Sequence, residues 1–481
     1  MKKFVIFALI AAMTAGVAFA QTADGISINA WGRGVFVPLE AHSANQTAGE
    51  TDKDAEGINY AGTGVTWGGS YGGAVRTDFR VNGNAEFVGF QVQVTEGPGI
   101  ENTNIWAKPF GSDILKLTIG KYEVDNLRGK IATDTGFEDF VAGGINEDSI
   151  FNRFRGNGGG ANAIITSEPM DGVFIGIEIP GLRDLSGDNS YLMDVYRKIQ
   201  IGFGYQIPDI GHLRVQWLGG WFGTLDPKEI AKDVAKKKYA SPLGTPSFDL
   251  AKMNAGGGSL TDATLKTWVD AFDWTDPTTF AAPTGAGSGA ATYITGQMQG
   301  AIKTIDPARI EAAFALVAVD GLLVDLGFKF WLPLELKDQT KYSKGVDVGL
   351  GVTYRMDAFA VAANVVAGFG SYVRAWEDDK NTNGMTLDFN LIPTYDLDAA
   401  TIGASIGLRS TGVSTDADGK ALEGDAKDNT MQFGFGGFVK KDLGSGHIKA
   451  GLAYTTAKTT NGKANGSGIF TIPIVLEYAF F

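Results

Sequence analysis

Residues 468–481 read GIFTIPIVLEYAFF, and Phe470, Ile472, Ile474, Leu476, Tyr478 and Phe480 occupy every second position of that stretch. A period of two puts all six side chains on one face of an extended strand. In a water-soluble β-protein such a face is an amphipathic edge that needs a second sheet to cover it. A strand that faces hydrocarbon needs no protein cover. Pro473 sits inside the run and has no amide to give to a neighbour. The segment reads as one wall strand of a transmembrane β-barrel.

The same alternation recurs along the chain, with glycine, amide and charge on the opposite face. Val75, Thr77, Phe79 and Val81 alternate with Arg76, Asp78, Arg80 and Asn82. Ile199, Ile201, Phe203, Tyr205 and Ile207 alternate with Lys198, Gln200, Gly202, Gly204 and Gln206, and Val346, Val348, Leu350, Val352 and Tyr354 oppose Asp347, Gly349, Gly351, Thr353 and Arg355. Strands this charged on one side do not fit a dry core.

Candidate strands lie near residues 26–39, 72–82, 85–95, 101–110, 113–121, 160–168, 172–180, 197–207, 211–222, 308–319, 322–333, 345–356, 358–371, 385–397, 400–410, 430–440, 446–457 and 468–481. The expected fold is all-β, a closed antiparallel transmembrane barrel of about eighteen strands, or sixteen if one hairpin is merged. Most candidates have the length that crosses an outer membrane at a tilt of about 40°. The connections alternate in length. Short turns are expected at Asn82-Gly83-Asn84, Gly111-Ser112, 168–172, 208–211, Asp320-Gly321, 355–357, 397–399 and 441–446. Long ones fall at 40–71, 122–159, 181–196, 223–307, 334–344, 372–384, 411–429 and 458–467, with 96–100 the brief exception. Short periplasmic turns and long extracellular loops sort in this way. A soluble sandwich has no reason to do so.

Lys2 and Lys3, an apolar run from Phe4 to Ala12, and Ala18-Phe19-Ala20 before Gln21 read as a secretory leader, so residues 1–20 are expected to be removed and 21–481 to form the barrel. No later segment offers eighteen consecutive apolar residues, the length a membrane-spanning helix needs. The absence of cysteine excludes disulfides, thiol catalysis, thiolate metal sites and a lipidated cysteine. The net charge of −13, which becomes −15 when Lys2 and Lys3 leave, argues against nucleic acid as a partner.

Barrels of the Gram-negative outer membrane commonly end on a strand with a terminal aromatic and a second aromatic or apolar residue two before it, and Tyr478 and Phe480 resemble that pattern, with Phe481 one residue beyond it. The resemblance implies outer-membrane lipid and the barrel-assembly machinery as partners, the latter through the C-terminal strand. A closer resemblance, to general porins, covers residues 110–180. FGSDILKLTIGKY (110–122) is similar to that family's FG-x-L-x-x-G-[RK] strand. Residues 152–157 (NRFRGN) and 167–172 (SEPMDG) resemble its R-x-x-N and S-P-x-x-x-G stretches, with Glu168 inserted in the S-P pair. The resemblance implies that loop 122–159 folds into the lumen and sets Asp134, Glu138, Asp139, Glu147 and Asp148 opposite Arg153 and Arg155. It also implies a homotrimer. Ordinary solvated loop charges are the alternative reading of those residues.

Strand register assigns Arg76, Arg80, Lys116, Lys198, Arg214, Arg309, Lys329, Arg355, Arg409, Lys440 and Lys449 to the lumen wall, against Asp78, Glu178, Glu311, Asp325, Asp347 and Asp388. Trp217, Trp221, Tyr354, Tyr395, Tyr454 and Tyr478 suit the lipid face near strand ends. The insertion 223–307 carries two helix starts, Asp226-Pro227-Lys228-Glu229 and Ser259-Leu260-Thr261-Asp262, and reads as a partly helical extracellular loop. His42, His212 and His447 are far apart and match no metal spacing, and His212 and His447 read as polar wall residues just after short turns. No GxSxG, P-loop or EF-hand pattern appears in its required context. The expectation is a non-enzymatic channel, without cofactor or metal, for passive diffusion of small polar solutes and ions. Two alternatives stand beside it: an adhesin or antigen whose barrel anchors the 223–307 loop, and a channel for a sugar-type solute that binds lumen aromatics such as Trp31, Trp106 and Trp331.

Overall fold

The computed structural model describes residues 25–43, 58–64, 75–95, 100–122, 160–180, 199–225, 250–261, 263–265, 267, 283–294, 307–336, 342–369, 385–411, 430–460, 463–465 and 468–480. Eighteen of the strands among these residues form one closed antiparallel wall. In chain order the strands begin with β1 (Ile26–Ser43), β2 (Ile58–Gly64), β3 (Val75–Asn84), β4 (Val88–Thr95), β5 (Ile100–Ala107) and β6 (Lys116–Tyr122). There follow β7 (Gly160–Met170), β8 (Val173–Pro180), β9 (Gln200–Ile207), β10 (Gly211–Leu218), β11 (Gly223–Leu225) and β12 (Arg309–Val319). Next come β13 (Leu322–Leu336), β14 (Tyr342–Met356), β15 (Phe359–Phe369), β16 (Met385–Leu397), β17 (Ala400–Thr411) and β18 (Thr430–Asp442). The last are β19 (Gly446–Thr455), β20 (Lys458–Thr460), β21 (Lys463–Asn465) and β22 (Ile469–Phe480). The strands β2, β11, β20 and β21 are short and lie within connections; the others are the wall.

Each wall strand pairs with its sequence neighbours, and β22 returns to β1, with Trp31 opposite Ala479, Arg33 opposite Glu477 and Val35 opposite Val475. The ring thereby leaves no edge, which is the condition for placing strands in hydrocarbon. The two β-branched residues of that closure, with Val37 and Ala453, make a small inner cluster. Near the middle of the seam the register slips between Phe36 and Leu39 against Ile474 and Ile472. Val37 and Pro38 there face the single Pro473. The slip is a β-bulge at a place where neither proline has an amide to contribute.

The turns at one end are short, as at Asp320-Gly321, where Gly321 has φ +72° and an added Cβ would meet the Arg355 carbonyl. The connections at the other end are mostly long; the exceptions are 96–99 between β4 and β5 and 337–341 between β13 and β14, where the strands run further than the expected 334–344 connection allowed. Three expected turns differ in detail. Gly83 lies within β3, opposite Ile26 and Phe90, with the Phe90 ring over it, and the turn falls at 85–87. Between β5 and β6 the turn spans 108–115, because it folds over its neighbours: the Lys108 amide donates to the Phe87 carbonyl at 2.7 Å and the Glu168 amide to the Asp113 carbonyl at 2.7 Å. At 168–172 the strand continues through a bulge to Met170 before turning at Asp171-Gly172.

The outer face is apolar and exposed from strand to strand. Ile105, Ile119, Ile201, Phe203, Leu326, Phe328, Val348, Leu350, Ile406, Phe435, Leu452 and Leu476 all belong to it. An unbroken belt of large exposed hydrophobics around a closed barrel is a surface for lipid chains, far beyond the patches that soluble monomers carry. Tyr205, Tyr354, Phe359 and Tyr395 stand on that belt beside the short turns, in the place of an interfacial aromatic girdle.

Within the insertion, α1 (Leu250–Asn254) and the helical residues 263–265 and 290–294 enclose Met253, Leu260, Leu265, Ala290 and Ile294, all buried. Asn254 organises this knot, since its side chain donates to the Leu260 carbonyl at 3.0 Å and accepts from the Leu260 amide at 2.8 Å. The helix expected from residue 259 is capped by Thr261, whose Oγ1 accepts from the Thr264 amide at 3.3 Å. The leader and the helix expected from Asp226 lie outside the described residues.

Candidate functional site: the lumen wall

The face opposite the apolar belt is polar around the ring, and strand pairing fixes which residues share it. One inward row runs Gln216, Glu311, Lys329, Asp347 across β10, β12, β13 and β14. Another runs from Arg214 through Ala313, Gly327, Gly349 and Val366 to Asp388, Arg409 and Gln432. Asp78, Arg80, Lys116, Arg214, Asp347 and Arg355 all lie in this register, as do Glu178, Arg309, Asp325, Lys440 and Lys449. Of Arg76 the structure describes the backbone, which stands opposite Arg33. Lys198 lies outside the described residues, and so do Asp134, Glu138, Asp139, Glu147, Asp148, Arg153 and Arg155. His212 and His447 share the inward register next to the short turns.

On the β10–β17 side, cations and carboxylates interleave. Glu311 is wholly buried; its Oε1 accepts from Arg309 Nε at 2.8 Å and lies 3.4 Å from Lys329 Nζ. Asp347 faces Lys329 from the next strand. Arg409 Nε donates to Asp388 Oδ1 at 2.8 Å. Alternating charge on adjacent strands satisfies ions that would otherwise be costly to bury, and it favours one register over its neighbours. Glycines fill the same face between the charges, at Gly327, Gly349, Gly351 and Gly407. The wall is therefore charged but low.

The β3–β5 side differs. Its inward positions include six amides: Asn82 and Asn84 on β3, Gln91 and Gln93 on β4, Asn102 and Asn104 on β5. Gln93 Oε1 accepts from Arg80 Nε at 3.1 Å, Arg80 Nη2 at 2.7 Å and Asn102 Nδ2 at 2.6 Å. A second chain of bonds links Asn104, Gln91, Asn82 and Ser27. Sequence reasoning passed over these residues because one amide in one strand carries no motif; only the register collects them.

The lumen tryptophans are placed inward but apart. Trp31 donates to Glu477 Oε1 at 3.1 Å on the closing seam, Trp331 lies under Lys329 on β13, and Trp106 on β5 has Lys108 and Lys116 over its ring at 5.3 and 5.0 Å. Among the expected lipid-facing aromatics, Trp217 meets Phe222 edge to face at 6.2 Å, and Tyr354, Tyr395 and Tyr454 are exposed. Among the described residues no group of three or more His, Cys, Asp or Glu side chains is arranged to hold a metal.

No family model matches the chain, and no curated protein matches it. Among solved structures it is similar to OccK3 (OpdO) of Pseudomonas aeruginosa, at 9% identity and TM-score 0.42, covering 95% of each chain. It is also similar to an anion-selective porin from Comamonas acidovorans, at 10% identity and TM-score 0.38, covering 95% of this chain and all of that one. A third is OmpT, an outer membrane protein of Vibrio cholerae, at 9% identity and TM-score 0.34, covering 95% and 99%. What identifies the architecture is the chain's own ladder: eighteen antiparallel strands, closed from β22 to β1, apolar outside and polar within.

Proposed function

We propose that the protein is an outer-membrane porin, a channel that lets small hydrophilic solutes and ions diffuse across the membrane with no bond made or broken. The observation that carries this reading is the division of the wall into an apolar, exposed outer face and an inner face that carries its charges and amides, around a ring without an edge. Such a ring is stable in lipid only when the inner face meets water or polar groups. The reading includes export through a leader at residues 1–20, a constriction made by loop 122–159 with its acidic residues against Arg153 and Arg155, and an extracellular position for 223–307. It also includes insertion by the barrel-assembly machinery through Tyr478, Phe480 and Phe481 and a homotrimeric state, both on the resemblance to porins.

Reconstitution of the detergent-refolded chain into planar bilayers tests the reading. Current steps of reproducible size are expected, together with a folded form that migrates differently on a denaturing gel until it is boiled. A barrel that folds by the gel criterion but passes no current would overturn it.

A further inference from the structure

We propose that the amide row on β3, β4 and β5 is a binding track for neutral polyhydroxylated solutes, sugars and polyols; this names a substrate class for the channel reading and rests on it. The row is a directed chain. Asn104 Nδ2 donates to Gln91 Oε1 at 3.3 Å, Gln91 Nε2 to Asn82 Oδ1 at 3.1 Å, and Asn82 Nδ2 to Ser27 Oγ at 3.3 Å. An amide has two N–H donors and two acceptor sites. Gln91 and Asn82 each use one donor and one acceptor within the row, so each keeps one of both kinds. Both are half-exposed on the inner face. Beside them on the same face, two residues along each strand, the row of Arg80, Gln93 and Asn102 is bonded together, with Gln93 and Asn102 nearly fully buried.

A hydroxyl group donates one hydrogen bond and accepts others, so a row that offers a donor and an acceptor at both Gln91 and Asn82 exchanges the solute's water bonds one for one. A carboxylate can use only the donors of such a row and an ammonium only its acceptors. On β12 and β13 the wall instead carries paired ions, Arg309 with Glu311 on one strand and Lys329 on the next, which favour no neutral solute. Trp106 borders the row, but its ring is engaged by Lys108 and Lys116, so recognition is assigned to the amides and not to stacking.

Single channels in potassium chloride provide the test, with glucose, mannitol and, as a zwitterionic control, glycine betaine added to the bath. Glucose and mannitol are expected to reduce the wild-type current in a saturable manner, and betaine only in proportion to its effect on bulk conductivity. In the double variant Asn82→Ala, Gln91→Ala the half-blocking sugar concentration, measured against that variant's own sugar-free current, is expected to rise roughly fivefold or more, the loss of one to two hydrogen bonds. Gln91→Glu, which keeps the side-chain size and removes its donors, is expected to weaken the block as well. Sugar block absent in the wild type, or unchanged in both variants, overturns the proposal. A folded wild-type barrel without current overturns the channel reading, and the track with it.

Discussion

At the scale of single residues, the inner wall is shaped by what a glycine lets its neighbour do. Gly403 lies opposite Phe438, and a Cβ there would overlap the ring, which is buried against Ile392 and has the Lys449 ammonium 5.3 Å from its centre. The ring is thus held from both sides. Gly403→Ala is expected to cost about 1–3 kcal/mol, read as a lower temperature for loss of the folded band on an unboiled gel. Gly437→Ala is the control, because the nearest atom to its added Cβ is 3.8 Å away, and no such loss is expected. At Glu311, replacement by Gln leaves Arg309 and Lys329 without the carboxylate between them; a destabilisation of about 3 kcal/mol is expected, measured by the same thermal shift. These roles were only partly legible. The sequence placed Glu311, Arg309 and Lys329 on the inner face by alternation, since parity along a strand is a local property. It did not reveal that Gly83 carries the Phe90 ring and does not form a turn, because that contact depends on the register of the next strand.

At the scale of elements, alternation predicts which face of each strand meets lipid, and on β9 and β14 the predicted residues Ile201, Phe203, Tyr205, Val348, Leu350 and Tyr354 are exposed. Leu350, in the middle of β14 and 42% exposed, stands on the belt. Leu350→Arg is expected to cost about 2–4 kcal/mol, the penalty for a cation near the bilayer midplane, measured by denaturant titration of the folded barrel in vesicles. The boundaries were less legible than the faces. β1 runs on to Ser43, beyond the expected 39, because its upper half gains a partner in β2, where His42 faces Tyr60 and Ala41 faces Ala61. β2 and the small hairpin of β20 and β21 lie inside segments that read as loops: their residues are polar, glycine-rich and too few to show a period. Pro38 and Pro473 were visible separately, but their meeting across one bulge needed the pairing of β1 with β22.

At the scale of the whole molecule, the barrel does not need its largest insertion to close. β10 and β12 pair directly, from Gly211 opposite Leu316 to Leu218 opposite Arg309, and the Ala308 amide donates to the Trp221 carbonyl at 2.8 Å at the base of the excursion. Replacement of residues 226–306 by a short flexible linker is expected to leave the heat-modifiable folded form and a conducting channel. Failure to fold would show that the insertion supports the wall. The class of fold, the face of each strand and the sorting of most connections into short and long are written in the order of residues along the chain. These follow from the two-residue repeat of a strand and from the different solvents on its two sides, which are imprinted on consecutive residues. Only the tertiary structure decided the closing register of β22 on β1, the ion ladder around Glu311 and the amide row from Asn104 to Ser27. Those depend on which residues of different strands stand side by side, and a shift of two residues in one pairing would keep the same faces while dispersing the group that pairing holds.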